Sequence, residues 1–133
     1  MMRVSAVGAC LLAALLLSSC ASTPAQYSNG VMTNSAGMTL YTFDKDAAGS
    51  GKSACNGPCA QNWPPFLAAS DAKSSSDWSI VTRDDGSRQW AYQGKPLYLW
   101  AKDKQPGDKT GDGFNKVWHV VPQPAVMHSS TYY

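Results

Sequence analysis

The side chains with chemical potential in this sequence are few, and two of them are placed alike. Asp46 and Asp103 each close the same short phrase, Tyr41-Thr-Phe43-Asp-Lys-Asp46 and Tyr98-Leu-Trp100-Ala-Lys-Asp103. A carboxylate where a strand runs into a Gly-rich loop can accept hydrogen bonds from loop amides and so fix a segment with no ladder of its own. That structural role is the one expected of both. Asp103, Asp108 and Asp112 also fall five and four apart in one loop, oxygen ligands that would suit Ca²⁺. Their order does not follow an EF-hand. His119 alternates with Val117 and Val121 along a strand, the pattern of a packed or hydrogen-bonded histidine. With His128, Met127 and the cysteines it is also the material for a soft copper site, which the spacing does not demand.

Cys55 and Cys59 sit either side of Asn56-Gly-Pro58. In an exported chain two nearby cysteines form a disulfide, and Gly57-Pro58 supplies the turn that brings them together. Cys-x-x-x-Cys is one residue too long for a thioredoxin-type dithiol. Ala60 after Cys59 excludes covalent haem attachment, which needs His there. There is no Gly-x-Ser-x-Gly, no His-Glu-x-x-His and no phosphate-cradling loop before a helix. Asp84-Asp85 precedes Gly86 and reads as a solvated hairpin turn. The chain is therefore expected to be non-catalytic, with no cofactor.

These residues sit on a repeat. Gly37 to Asp46 returns as Gly94 to Asp103, 57 residues on, with Gly, Leu, Tyr, Lys and Asp identical at five of ten positions. A Gly-rich polar loop and then a tryptophan follow each copy, Trp63 and Trp118. Such self-similarity implies a supersecondary unit used twice, each copy completing a core that the other cannot close alone. All nine acids are Asp and none is Glu, and five Trp and six Tyr lie among frequent Gly and Pro. That composition favours short strands and turns over helices. The fold expected is all-β, a single small domain of two antiparallel meanders with long ordered loops: repeat one about 29–67, repeat two about 78–121, and a flexible tail over 122–133.

In detail, Gly30–Thr33 and Met38–Phe43 should pair around Asn34–Gly37, and Trp63-Pro-Pro-Phe66 should close the first unit, its prolines barring helix and central-strand pairing. Trp78–Arg83 and Ser87–Tyr92 should form a hairpin, Leu97–Trp100 a further strand, and Val117–Val121 the closing strand. Tyr41 and Phe43 share one strand face, as do Tyr98 and Trp100. Leu97, Leu99 and Ala101 make the opposite face of copy two apolar, so its strand should be the more central.

Residues 1–19 read as a signal peptide: a basic start at Arg3, then an apolar run too short to span a bilayer. Leu17-Ser-Ser-Cys20 matches the lipobox of bacterial lipoproteins, which implies cleavage before Cys20, diacylglycerol on its thiol and residues 20–28 as a tether. Ala21 in place of Asp points to the outer membrane in a cell with two membranes. Without residues 1–19 the chain carries ten Lys and Arg against nine Asp, and no basic patch suggests nucleic acid.

The Tyr-x-(Phe/Trp/Tyr)-x-x-Asp phrases, the Cys55-Asn-Gly-Pro-Cys59 loop leading into Asn62-Trp-Pro-Pro65, and the Val117-Trp-His119 ending resemble a family of bacterial envelope lipoproteins, the secreted repeat of unknown function. The resemblance spans roughly residues 30–121 and implies an envelope location without implying an activity. The reading that results is a binding or structural module facing the periplasm or exterior, with an envelope protein or the cell wall as possible partner. Two alternatives stand beside it: a metal- or electron-handling protein using Cys55, Cys59, His119 or the Asp loops, and a glycan or peptidoglycan binder using Trp78, Trp90 and Tyr92 as stacking platforms.

Overall fold

The computed structural model describes residues 23–125; the signal segment, Cys20 and His128 lie outside the described residues. Among the described residues the regular structure is nearly all antiparallel sheet, in short strands joined by long loops. Strands β1 (Gln26–Ser28) and β2 (Val31–Thr33) form a hairpin over Asn29-Gly30, both with positive φ (50° and 81°), as a two-residue hairpin turn requires. Chain order there starts within the segment expected to be tether. β2 then turns through Asn34, whose side-chain oxygen accepts from the Ala36 and Met38 amides, and pairs with Thr39 and Leu40. Strand β3 (Tyr41–Phe43) follows, and a short helix α1 (Pro58–Asn62) stands beyond the first loop. Five residues are too few to print a helical period on the sequence; α1 starts at Pro58, where the ring's fixed φ suits a first helical position.

The second unit opens with β4 (Trp78–Thr82) and β5 (Arg88–Tyr92), the expected hairpin, with β6 (Lys95–Pro96) alongside β5. A 3₁₀ turn at Phe114–Lys116 leads into β7 (Trp118–Val120).

The pairing departs from two self-contained meanders. β3 of the first unit pairs with β7, the closing strand of the second, Phe43 opposite Trp118 and Tyr41 opposite Val120. The converse holds at the other end: the Leu99 amide donates to Pro64, the Ala101 amide to Asn62, and Pro65 bridges Tyr98. Between them Tyr41 and Tyr98 exchange both backbone hydrogen bonds, at 2.8 and 2.9 Å. The result is a four-strand antiparallel ladder in the order 117–120, 41–44, 98–101, 62–65, with a pseudo-two-fold axis between Tyr41 and Tyr98. The exchange continues outward: Met32 donates to Val121 and Gln123 to Gly30, as Trp90 donates to Phe66 and Ala68 to Arg88. Each closing segment therefore belongs, by its hydrogen bonds, to the other unit. Pro64 and Pro65 occupy an edge of the ladder, where a missing N–H costs no pairing. The strand of copy two is no more central than that of copy one, because Tyr41 and Tyr98 are each flanked on both sides. The ordered pairing also runs to Gln123, past the point where a tail was expected.

Alternation separates two cores. Tyr41, Phe43, Tyr98 and Trp100 join Trp63, Trp118 and Cys55 on one face. Leu40 and Leu97 join Met32, Trp78, Val121 and Ala25 on the other, with Leu99 packed against them. Ala101 is exposed.

Candidate functional site

At the centre of the first core four rings are stacked in the order Phe43, Trp118, Trp63, Trp100. Successive centroids are 4.2, 3.8 and 4.0 Å apart. The axis that relates Tyr41 to Tyr98 also relates Phe43 to Trp100 and Trp118 to Trp63. Tyr41 meets Trp63 edge-on at 5.3 Å, and Tyr98 meets Trp118 edge-on at 5.1 Å. Buried aromatic pairs of this kind each add about 0.5–1.5 kcal/mol beyond their area. Gly111 exists for this stack: a Cβ there would lie 2.6 Å from the Trp63 ring and 3.0 Å from that of Trp100.

The repeated tyrosines and aspartates clasp each other across the axis. Tyr41 donates its hydroxyl to Asp103 Oδ2 at 2.6 Å, and Tyr98 donates to Asp46 Oδ2 at 2.5 Å. Both carboxylates are buried, and each spends its other oxygen on its own loop. Asp46 Oδ1 accepts from the Ala54 amide at 2.7 Å; Asp103 Oδ1 accepts from the Thr110 amide at 3.0 Å and hydroxyl at 2.6 Å. A tyrosine in one unit thus holds the loop of the other. The opening glycines of the phrase extend the exchange: Gly37 lies against Pro106 and Gly94 against Gly49, so close that a Cβ on Gly94 would come within 2.6 Å of the Gly49 nitrogen. Burial, and then the bond to the carboxylate, raises the ionisation of both tyrosines above the ordinary phenol range.

The two clasps differ in one respect that sequence reasoning missed. Arg83 is buried and makes no ion pair within 4 Å among the described residues. It donates to Ser53 Oγ at 2.9 Å, Gln89 Oε1 at 2.8 Å and the Cys55 carbonyl at 2.6 Å. Tyr98 has one proton and gives it to Asp46, so Ser53 must donate to the Tyr98 oxygen across their 2.6 Å contact. Arg83, Ser53, Tyr98 and Asp46 form one directed chain from a buried cation to a buried anion. Gln89 completes it by donating to the Leu97 carbonyl at 2.7 Å. Only the position of Gln89 between Trp90 and Arg88, on the face opposite the aromatic residues of β5, hinted at it; a polar residue there reads as solvent-facing.

The remaining candidates are dispersed. Cys55 and Cys59 form a disulfide, Cα atoms 5.2 Å apart, with Cys55 fully buried. Asp108 accepts from the Lys104 and Gln105 amides and Asp112 from the Val120 amide, so neither converges on Asp103. His119 Nε2 lies 2.8 Å from Asp44 Oδ2 on an exposed surface. Among the described residues no three His, Cys, Asp or Glu side chains are grouped so as to hold a metal ion. Trp78 is buried, and Trp90 and Tyr92 pack on it at 5.9 and 5.1 Å, so the three do not form an exposed row.

Two stretches, residues 25–66 and 79–122, each match the model of one family, described as a secreted repeat of unknown function. The chain belongs to this family of secreted repeats. No curated protein and no solved structure matches it. The two matched stretches bracket the two units of the fold, and each contains one clasping tyrosine, one aspartate of the opposite clasp and one closing tryptophan segment. In this secreted repeat, then, the unit that recurs in sequence is not the unit that closes in space.

Proposed function

We propose that the chain is a non-catalytic module of the bacterial envelope, tethered to a membrane by diacylglycerol on Cys20 and acting as a binding or structural domain. The observation that supports this reading is how the reactive-looking groups are spent. Asp46 and Asp103 are buried and saturated by tyrosine and loop donors, Cys55 and Cys59 are joined, and Arg83 is consumed inside the fold. Groups committed in this way hold the loops 44–57 and 102–117 in shape, and recognition is left to the surfaces those loops and the hairpins present. Ala21 after the anchor cysteine favours the outer membrane in a cell with two membranes.

The test is to express the full chain and its Cys20→Ser variant in a two-membrane bacterium and fractionate the envelope. The wild-type chain should sediment with outer-membrane vesicles and carry the mass of the lipid, whereas the variant should lose both. A variant that stays with the membrane to the same extent overturns the anchor. A metal retained in native mass spectra of residues 21–133, purified without chelators, would overturn the role as a simple module in favour of metal handling.

A further inference from the structure

A groove of about 550 Å³ opens beside the second core, between the β1–β2 hairpin and the start of β4. Its size falls within the range of small-molecule sites, roughly 300–1,000 Å³. Tyr27, Met32, Trp78 and Tyr92 give it an apolar, mainly aromatic lining, and Asp77 lines it as well. Trp78 and Tyr92 face each other across the β4–β5 pair, ring centroids 5.1 Å apart and planes tilted by 50°, so they meet as two walls of a corner.

Three facts say what this corner lacks. Asp77 is exposed, and its carboxylate, like those of Asp71 and Asp84 but unlike those of Asp44, Asp46, Asp85, Asp103, Asp108 and Asp112, takes part in no hydrogen bond or ion pair among the described residues; of the three it alone lines the groove. Among the described residues no cation covers these rings; the cation–π contact there is Lys102 over Trp100. The Tyr27 hydroxyl is buried without a hydrogen-bond partner in bonding geometry. Its pKa is pushed up to about 12 by burial first, then by the neighbouring Tyr92 hydroxyl and the Asp77 charge, and all three side chains line the groove.

We propose that this groove binds an organic ammonium group, with Tyr27, Trp78 and Tyr92 as walls and Asp77 as the counter-charge. Aromatic faces carry negative potential and attract a cation, most strongly one whose alkyl substituents spare it a hydration shell. One carboxylate among neutral hydroxyl and amide groups is a poor site for a hydrated metal ion, and the same carboxylate repels anions. A sugar would need a flat platform of ring faces, whereas Trp78 and Tyr92 meet as a corner with planes tilted by 50°. The proposal rests on the reading of this domain as a binding module. The shared chemistry has two sources, a lipid headgroup and a free amine. Thr23 lines the groove and Cys20 lies three residues before it, about 10 Å of extended chain, so an anchored domain would hold the groove near a bilayer.

The experiment is an amide-resolved NMR titration of residues 21–133 with choline and, in parallel, with its uncharged carbon analogue dimethylbutanol. Choline should shift the Trp78 indole and the amides of 75–78 and 92 saturably, with half-saturation at about 1–10 mM, and dimethylbutanol should act about tenfold more weakly or not at all. Asp77→Asn, a surface change that leaves the fold alone, should weaken choline binding about three- to fivefold. Tyr92→Leu should remove it. Equal shifts from dimethylbutanol, an unaltered affinity in Asp77→Asn, or shifts scattered over the domain overturn the proposal. Flotation with ethanolamine-headgroup vesicles but not glycerol-headgroup vesicles assigns the site to lipid; saturation by free choline without flotation assigns it to a soluble or cell-wall amine. Retained metal defeats the module reading and leaves the titration standing, so the two failures are distinguishable.

Discussion

Replacing Tyr98 by Phe should unfasten a loop that lies more than 40 residues earlier in the sequence. The substitution keeps the ring, and with it the edge-on contact to Trp118, but deletes the hydroxyl that Asp46 accepts at 2.5 Å and that Ser53 meets at 2.6 Å. Asp46 is 3% exposed, so water cannot replace the lost donor, and only the Ala54 amide remains as a direct partner. A hydrogen bond to a charged group contributes about 1.5–3 kcal/mol, and stranding a buried charge adds to that, so the loss should be about 3 kcal/mol. For a domain of this size that lowers the melting temperature by on the order of 15 °C. Tyr41→Phe should cost less, about 2 kcal/mol, because Asp103 keeps both the amide and the hydroxyl of Thr110. Urea unfolding at neutral pH gives the totals, and hydrogen exchange gives the location. In Tyr98→Phe the Ala54 amide should lose protection while Thr110 keeps it, and in Tyr41→Phe the reverse should hold. If both variants lost less than about 1 kcal/mol, or if each opened the loop of its own unit, the crossed clasp would be refuted.

High pH should undo the same bonds. Tyr41 and Tyr98 ionise above the ordinary phenol value of about 10, burial first and the carboxylate second, so the unfolded chain loses these protons before the folded one does. Their stabilisation is whole below pH 10 and declines as pH rises through the folded values, by about 2.7 kcal/mol per unit for two protons; a urea midpoint flat from about pH 10 to 11.5 would contradict this. Gly111→Ala places a methyl 2.6 Å from Trp63 and should cost about 1–3 kcal/mol, with a changed near-ultraviolet circular dichroism band as its signature. Reducing Cys55–Cys59 reopens a very short loop and should cost roughly 2 kcal/mol in thermal melts under reductant, without unfolding the domain.

The all-β class, the β4–β5 hairpin and the shared faces of Tyr41 with Phe43 and Tyr98 with Trp100 were legible because each follows from alternation and turn chemistry within a few residues. The disulfide was legible for the same reason: its partners are four apart. Asp46 and Asp103 could be read as loop anchors, since a strand end before a Gly-rich loop needs one. Their second bond could not, because the tyrosine each one receives is 52 or 62 residues distant and looks, from its own neighbourhood, like a plain core residue. The exchange of closing segments was hidden similarly. A repeat in sequence tells that two units are alike, and an internal pairing and an exchanged one satisfy the same local pattern. Asn29-Gly30 was a hairpin signal open to reading, masked by the expectation that a tether runs to residue 28. Arg83 left no trace, as its role exists only once Ser53, Cys55 and Gln89 are brought around it.

The exchanged closing segments give the domain the connectivity of a homodimer written on one chain. A polypeptide bearing a single unit could satisfy its aspartate, its tyrosine and its tryptophan strand only by finding a second copy of itself, and the axis between Tyr41 and Tyr98 is where two such copies would meet. The stretch from 69 to 77 fuses those two partners covalently, which turns an association governed by dilution into an intramolecular one. For a secreted protein, whose neighbours can drift away, that fusion secures the pairing at any concentration. It also implies that cleavage within 69–77 should leave two fragments that stay together, each clasped by the other.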